Sequence, residues 1–420
     1  MNHNFFKLNP DNNLKTKKIF IILFRKVYGE IDWILPLVNR FNKNYLFFGI
    51  IENKNELDML KKNLFLKDQF EKNFHGYFIE NKFKNFFLRI LSKIFKVFNL
   101  PLKSKILERF KNNYFSYNNL TSIISKDYDL KNLEKINIFL TYDKLYNSWE
   151  EELSKQKNST TYYFPSSCGI KPEEKPSIGK DQVKDKNKFL ILSNDLSLIY
   201  WKNTYPKLKQ MIIGYPRYNK IWMENIKQKL NKSESIRIYL SYRRDLMVKE
   251  WFDKAIMQLN TIKSILKRID KNFEIYVKIH PYSNQSELSN YLINEQNIKF
   301  IFTRLHQQEI CKISNFSISF FRSASILESL STRTPAIELF KLANEIPWSP
   351  YKDQNISFYA EDQHVLENYI KKFCINDKEI YEEFQKKYKN FESVCLRKDP
   401  IDLFEEFLNL KRNNYIGFEI

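Results

Sequence analysis

A lysine and a histidine close one of the short apolar runs of this sequence. Lys278 and His280 belong to YVKIHP, in which residues 274–279 have the length of a buried strand. Pro281 ends that strand, because proline fixes φ and has no N–H to donate. His280 is therefore expected at the carboxyl end of a strand, where open α/β sheets place their ligands. Lys278 lies two residues earlier, on the same strand face.

Two hydroxyl groups stand in a polar turn farther along the chain. Ser323 and Ser325 follow the apolar run Phe316–Phe321, and a helix is expected directly after them, with Glu328 in its first turn. Residues 335–339 have the composition of the next strand. The pattern predicts a βαβ unit whose turn offers backbone N–H groups, two hydroxyls and a helix dipole to an anion.

Two carboxylates follow the first apolar run, Lys18–Phe24, which also has strand length. Gly29 is expected to form the turn from this strand into a helix, and residues 44–53 provide the next strand. Strand, helix and strand again predict half of a Rossmann-like domain. Glu30 and Asp32 are thus expected at the carboxyl end of the first strand. The alternative is that they are ordinary acids near a helix N-terminus, which the helix dipole favours.

Arg243 follows another alternating strand pattern in residues 235–245. A guanidinium is a fork of donors that suits a departing phosphate. The alternative is a solvated basic loop.

The length of 420 residues predicts two domains. The boundary is expected between residues 215 and 216, which gives a first domain of residues 1–215 and a second of residues 216–420. Strand and helix patterns alternate in both, so the predicted fold class is α/β with two doubly wound sheets.

The chain is strongly basic, with 69 Lys and Arg against 49 Asp and Glu. This charge suits an anionic partner, although the abundance of Lys, Asn, Ile, Phe and Tyr is also typical of an A+T-rich genome. No RNP, helix-turn-helix or zinc pattern is present, so no nucleic-acid partner is expected. The segment Lys82–Lys105 combines a Phe/Leu face with a lysine face, which fits either an anionic membrane surface or a core helix.

No run reaches the roughly 18 apolar residues that span a bilayer, and the N-terminus lacks the apolar core of a signal peptide. The four cysteines (Cys168, Cys311, Cys374 and Cys395) have no metal-binding spacing and are expected to be free thiols. These features predict a cytoplasmic protein, with peripheral attachment at the inner face of the cell membrane left open.

The pattern K-x-HP, followed by S-x-S-x-L-E-S-L-x-x-x-x-P-x-I-E, resembles the donor half of GT-B glycosyltransferases, especially bacterial capsule and surface-polysaccharide enzymes. The resemblance implies two Rossmann-like domains that face each other across a cleft, with a final helix that returns to the first. It assigns the donor's phosphate to His280, Ser323 and Ser325, and the nucleotide ribose to Glu328. The family usually has Gly or a Ser-Ser or Ser-Thr pair in the turn. This chain has Ser-Ala-Ser, so which hydroxyl meets the phosphate stays open.

A second pattern, G-E-I-x-x-x-x-P-L, resembles a segment of the Kdo transferases of lipopolysaccharide synthesis. There the glutamate after the glycine is the catalytic base, which implies this role for Glu30. Asp32 is a second candidate for the base.

These observations predict a glycosyltransferase that moves a sugar from a nucleotide sugar to a cell-surface glycan or glycolipid, with an acidic sugar carried by CMP among the candidate donors. Neither a metal nor a cofactor is expected, because the sequence shows no cluster of metal ligands, the GT-B enzymes that it resembles commonly dispense with a metal, and the nucleotide sugar is a substrate. One alternative is a CDP-polyol phosphotransferase of the teichoic-acid type. It would normally have a second histidine motif in the N-terminal half, where His75 is the sole histidine outside the leader. The other alternative is a non-catalytic anion-binding protein.

Overall fold

The computed structural model describes residues 5–8, 18–24, 27–51, 53–79, 117–126, 128, 133–139, 159–164, 187–194, 209–226, 234–241, 249–278, 288–340, 349–396 and 398–409. For residues 27–30, 117–119, 121, 139, 249–252 and 254 it describes the backbone alone. The described residues form two compact units. The first holds those up to Arg217 and those from Ile401 onward, and the second holds those from Tyr218 to Pro400.

The described helices are α1 (Val27–Phe41), α2 (Lys54–Lys61), α3 (Leu64–Asn73), α4 (Tyr117–Ile124), α5 (Lys220–Asn225), α6 (Lys249–Lys267), α7 (Gln307–Ile313), α8 (Ser325–Ser331), α9 (Pro350–Asp353), α10 (Gln363–Cys374), α11 (Lys378–Cys395) and α12 (Pro400–Asn409). Several begin at a side chain that accepts a backbone N–H of the first turn, as Asn53, Asn63, Asp362 and Asp377 do. Such caps satisfy donors that a helix start leaves without a partner. None of the described helices is long and apolar enough to cross a membrane.

The strands of the first unit are β1 (Phe5–Lys7), β2 (Lys18–Phe24), β3 (Leu46–Ile51), β4 (Gly76–Ile79), β5 (Glu134–Phe139), β6 (Ser159–Tyr163), β7 (Lys188–Leu192) and β8 (Lys209–Ile212). They form one sheet in the order β1-β4-β3-β2-β5-β6-β7-β8. All neighbours from β4 to β8 are parallel, and β1 pairs antiparallel with β4 at the edge. The central strands are almost wholly apolar and buried, as expected for a parallel sheet with both faces covered.

The strand predicted at Lys18–Phe24 is confirmed as β2. The turn predicted at Gly29 is wrong, because α1 already begins at Val27 and Gly29 lies in its first turn. At the other end of the first unit, Phe407 of α12 packs edge-on against Tyr162 and Phe189 of β6 and β7.

The strands of the second unit are β9 (Ile236–Ser241), β10 (Phe273–Lys278), β11 (Ile298–Thr303), β12 (Phe316–Ser319), β13 (Ala336–Glu338) and β14 (Phe358–Tyr359). They are all parallel, in the order β11-β10-β9-β12-β13-β14. Counted along the chain, this is the 3-2-1-4-5-6 order of a doubly wound Rossmann sheet. The prediction of an α/β fold with two doubly wound sheets is confirmed.

The two faces of this second sheet differ in chemistry. Paired residues of parallel strands point to the same face, and successive residues alternate between faces. One face is apolar, and its central residues are Ile238, Leu240, Ile275, Val277 and Ile318. The other face carries Arg237, Tyr239 and Ser241 on β9, Glu274, Tyr276 and Lys278 on β10, and Ser317 and Ser319 on β12. Polar groups are thus concentrated on one side, which is where ligand chemistry can be built.

Candidate functional site

A row of five polar side chains crosses the carboxyl edge of the second sheet. The strand registers pair Lys278 with Thr303 and Ser241, Ser241 with Ser319, and Ser319 with Glu338. Each of the five ends its strand. Because the row lies on the polar face, it lines one edge with three hydroxyls, an ammonium group and a carboxyl group.

The middle of this row is the topological switch point of the sheet. Strands β9 and β12 are neighbours in space although β10 and β11 come between them in the chain. Connections leave such a pair in opposite directions, so a crevice opens outside the carboxyl ends, where doubly wound proteins bind ligands. Ser241 and Ser319 are the last residues of these two strands.

Four serine hydroxyls form a continuous chain at the switch point. The Oγ of Ser241 lies 3.4 Å from that of Ser323, which lies 2.6 Å from the Oγ of Ser325. The Oγ of Ser325 lies 2.9 Å from that of Ser319. A hydroxyl donates one hydrogen bond and accepts others, so the chain is internally satisfied and can still direct a donor outward. Ser319 and Ser325 are buried, whereas Ser323 is partly exposed and is therefore the most accessible of the three.

The backbone of the serine turn supplies fewer donors than its sequence predicts. The N–H groups of Ser323, Ile326 and Leu327 each donate to a carbonyl three residues earlier, at 3.1 Å. The N–H of Arg322 donates to Glu338 Oε1 at 2.9 Å. These four amides are therefore engaged within the protein, and the N–H of Ser325 donates to Ser323 Oγ at 3.4 Å. The serine hydroxyls add side-chain donors to this turn for an anion.

Glu328 lies in the first turn of α8, as predicted, and its side chain is buried. Its Oε1 accepts a hydrogen bond from the hydroxyl of Tyr218 at 3.4 Å. The Cys311 thiol lies close to both Glu328 and Lys278. Burial raises the pKa of Cys311 to about 12, a rise that the Glu328 carboxylate adds to and the Lys278 ammonium opposes. Both predicted site residues thus act electrostatically on the Cys311 thiol, and the raised pKa disfavours its reactive thiolate form.

Glu338 belongs to the site and was missed by the sequence reasoning. It is fully buried, and it accepts hydrogen bonds from Ser349 Oγ at 2.7 Å and Ser357 Oγ at 2.9 Å in addition to the Arg322 amide. Burial raises the pKa of the Glu338 carboxyl, and these three hydrogen bonds act in the opposite direction. The available signal was an acidic residue that ends an apolar strand, at the last position of the P-x-I-E pattern.

Ser241 and Ser319 were also missed as site residues. Each ends an apolar alternating run, but only the strand order places them side by side.

The remaining predicted residues are distributed as follows. Lys278, Ser323, Ser325 and Glu328 lie at the carboxyl edge of the second sheet, while His280 and Arg243 lie outside the described residues, as does the segment Lys82–Lys105. Glu30 is in the first turn of α1 rather than in a turn before it, and only its backbone is described.

Asp32 forms a buried ion pair with Arg217 inside the first unit. The Arg217 guanidinium also lies over the Trp33 ring, 5.1 Å from its centroid, and the same ring packs against Tyr215. The Asp32 carboxylate therefore neutralises the buried Arg217 guanidinium, which gives Asp32 a structural role.

Two histidines have structural environments. His75 is buried just before β4, at the amino edge of the first sheet, and its Nδ1 accepts the Phe47 N–H. His306 precedes α7, and its backbone N–H donates to Glu309 in a capping box. Within the described part of the chain, no group of three or more His, Cys, Asp or Glu side chains could hold a metal ion. Cys311, Cys374 and Cys395 are free thiols.

The sequence matches no protein-family model and no curated protein. Solved structures share the architecture, however. A glycosyltransferase from Rickettsia africae superposes with a TM-score of 0.54 at 15% identity, covering 94% of this chain and all of that one. A Listeria monocytogenes protein assigned as a UDP-N-acetylglucosamine 2-epimerase gives 0.52 at 9% identity, with coverages of 94% and 98%. The wall teichoic acid polymerase TagF gives 0.50 at 14% identity, with coverages of 96% and 91%. At such identities these likenesses show the fold alone, which is of the GT-B type.

Proposed function

We propose that this protein is a glycosyltransferase that takes its sugar from a nucleotide donor. The observation that carries the proposal is the serine hydroxyl chain at the switch point of the second sheet, beside Glu328 and Lys278. The likeness to the Rickettsia glycosyltransferase and to a protein named for a UDP-sugar substrate supports a nucleotide-sugar ligand.

The chemistry of sugar transfer fits these groups. Departure of the nucleotide leaves negative charge on a phosphate oxygen, and donors fixed in place stabilise that charge in the transition state. Ser323 and Ser325 are proposed to hold the phosphate, with Lys278, His280 and Arg243 adding positive charge. Glu328 is proposed to bind the ribose, because a carboxylate accepts hydrogen bonds from both ribose hydroxyls.

Transfer also needs a base for the acceptor hydroxyl. Glu30 is proposed for this role, and Asp32 is the weaker candidate because its carboxylate is paired with Arg217. Because hydroxyls and positive side chains are proposed to stabilise the departing phosphate, the reaction is proposed to be metal-independent. The acceptor is proposed to be a surface glycan or glycolipid, and a donor such as a CMP-linked acidic sugar remains among the candidates. Peripheral attachment to an anionic membrane through Lys82–Lys105 is part of the same proposal.

A second candidate is a phosphotransferase of the teichoic-acid type, favoured by the likeness to TagF. The buried position of His75 at the amino edge of the first sheet weighs against it, because His75 is the N-terminal-half histidine that such chemistry would require.

The test begins with calorimetric titration of the purified protein with CMP, CDP, UDP and GDP, at low and at high salt. One nucleotide should bind at both salt concentrations, because binding in a shaped pocket resists salt better than attraction to a diffuse basic surface. Ser325→Ala should weaken binding at least about tenfold, whereas Ser331→Ala, in the same helix, should not. Absence of binding by all four nucleotides would contradict the proposal.

The nucleotide that binds then selects the sugar donor for a turnover assay. Release of nucleotide with a sugar lacking phosphate on the acceptor supports glycosyl transfer, and phosphate retained in the product supports the phosphotransferase. Formation of the 2-epimer of the sugar would instead indicate an epimerase. Glu30→Gln should leave nucleotide affinity unchanged and abolish transfer; loss of affinity would argue against its role as base.

A further inference from the structure

Arg322 adopts a backbone conformation that side-chain-bearing residues avoid. Four described non-glycine residues have positive φ, and Arg322 is one of them, at 56°. The other three, Arg333, Asn355 and Asn376, each follow directly after a helix C-cap, where left-handed residues normally end helices. Arg322 precedes a helix instead. It is the third residue of the β-turn closed by the Ser323 N–H and the Phe320 carbonyl, a position where a positive φ is ordinarily adopted by Gly or Asn. An arginine there carries backbone strain, which neighbouring contacts must offset.

Glu338 makes a contact that can hold Arg322 in this conformation. The Arg322 N–H donates to Glu338 Oε1 at 2.9 Å, and Glu338 belongs to β13, the strand next to β12. Ser349 donates to the same oxygen and Ser357 to Oε2, so the carboxylate is held from three directions. The position of a buried acceptor held in this way is fixed, so the Arg322 N–H can donate to it only if the turn adopts the observed conformation.

We propose that Glu338 is the positioning residue of the donor-phosphate site. By accepting the Arg322 N–H it holds the turn that sets Ser323 and Ser325 against Ser241 and Ser319. The inference rests on the proposed function, in which these hydroxyls bind the phosphate of the nucleotide. Arg322 directly precedes Ser323, so a relaxation of its φ from 56° to an ordinary value of about −63° would redirect the chain just before the hydroxyl pair.

The competing explanation is that Glu338 is merely a buried structural residue. Ser357 separates the two, because it is buried and donates to the same carboxylate without touching the turn. Ser357→Ala is therefore the matched control. Glu338→Gln retains a carbonyl oxygen that can accept the Arg322 N–H, whereas Glu338→Met removes every acceptor.

The first experiment measures nucleotide affinity by calorimetry, using whichever of CMP, CDP, UDP and GDP the wild type binds. Glu338→Met should weaken binding at least about tenfold, while Glu338→Gln and Ser357→Ala should stay within about threefold of wild type. Wild-type affinity in folded Glu338→Met overturns the proposal, as does equal damage by all three substitutions. Should Glu338→Met not fold, Glu338→Asp, whose carboxylate is one methylene short of the amide, carries the same expectation.

The second experiment measures hydrogen–deuterium exchange of the peptide that contains Arg322, without any ligand. Exchange should be faster in Glu338→Met and unchanged in Ser357→Ala; unchanged exchange in Glu338→Met overturns the proposal. If no nucleotide binds wild type but exchange responds as expected, the proposed function fails while Glu338 still sets the turn.

A third experiment tests the backbone explanation with a double-mutant cycle. Glycine adopts a positive φ without strain, so Arg322→Gly should raise the nucleotide affinity of Glu338→Met more than it changes the affinity of wild type. Absence of any such coupling overturns the backbone explanation.

Discussion

The two sheets of this protein share the same order in six parallel strands and differ in the residues that they place along the carboxyl edge. In the second sheet, the row nearest that edge is polar on five consecutive strands. The strands of the first sheet end instead in residues such as Ile79, Ile51, Phe24 and Tyr163. Topology thus provides a crevice in both sheets, but only the second uses the strand ends themselves for polar chemistry.

The difference teaches where each unit can hold functional groups. A strand that is buried on both faces, as β2 is, has no position for a polar side chain that lacks a partner. In the first unit, both candidate bases, Glu30 and Asp32, accordingly lie on α1 rather than on a strand. In the second unit, β12 alternates Phe316 and Ile318 with Ser317 and Ser319, so the strand itself carries hydroxyls. Four predictions test this contrast.

Leu23→Ser should have the largest effect, because it places a serine near the carboxyl end of a strand in the first sheet, as the second sheet does with Ser241 and Ser319. Leu23 is buried in the core of β2, and the change removes apolar contacts and leaves a hydroxyl without a designed partner. The free energy of unfolding should fall by about 4 kcal/mol, measured by urea denaturation. Nucleotide affinity of the folded fraction should be unchanged. A loss of stability below about 1 kcal/mol would show that the first sheet tolerates a polar edge.

Asp32→Ala should come second, because it leaves the buried Arg217 guanidinium uncompensated. A loss of about 3 kcal/mol in unfolding free energy is expected from breaking a buried ion pair. The double variant Asp32→Leu with Arg217→Met should recover most of it, because apolar residues can replace such a pair. Transfer activity in this stable double variant would confine Asp32 to a structural role. Its loss, with nucleotide binding intact, would restore Asp32 as a candidate base.

Ser319→Val should change function more than stability. The substitution removes one hydroxyl of the serine chain and leaves Ser325 with Ser323 as its remaining hydroxyl partner. Nucleotide affinity should fall about tenfold, equivalent to about 1.4 kcal/mol, with a smaller change in unfolding free energy. Ser317→Val is the matched control, since Ser317 is buried on the same face and bonds the Pro335 carbonyl rather than the chain. Equal loss of affinity in both variants would contradict the assignment.

The pH dependence contributed by Glu338 should be the smallest effect. Burial raises its folded-state pKa above the ordinary value of 4.5, so the folded protein binds this proton more tightly than the unfolded chain does. The stabilisation is complete below pH 4.5 and is lost as pH rises through the folded pKa. Unfolding free energy of wild type, relative to Glu338→Gln, should therefore decrease over that interval. An increase would show that the hydrogen bonds to Glu338 outweigh its burial.

Local patterns predicted much of the second unit. Apolar runs that end in polar residues located β10 and β12, and the serine turn before a helix located Ser323, Ser325 and Glu328. The partnership of Ser241 with Ser323 could not be predicted in this way, because it depends on β9 and β12 being neighbours. The same holds for Glu338 and Arg322, which strand pairing brings together.

The first unit was harder for a related reason. Gly29 suggested a turn between β2 and α1. In the structure α1 begins at Val27 and includes Gly29 in its first turn. The pairing of Asp32 with Arg217 joins residues far apart in sequence, and no periodic pattern announces it.

The serine chain also has a consequence for how the proposed site would release its product. Each of its hydroxyls can reverse the direction in which it donates, so the line of four O–H bonds has two opposite polarities of equal charge. In one direction the chain donates an O–H to the phosphate, and in the other it does not. The phosphate could therefore be bound and released with no heavy atom displaced and no proton exchanged with solvent. Because serine does not titrate near neutrality, the four hydroxyls add no pH dependence of their own there, and any pH dependence of turnover must originate in the phosphate or in other groups.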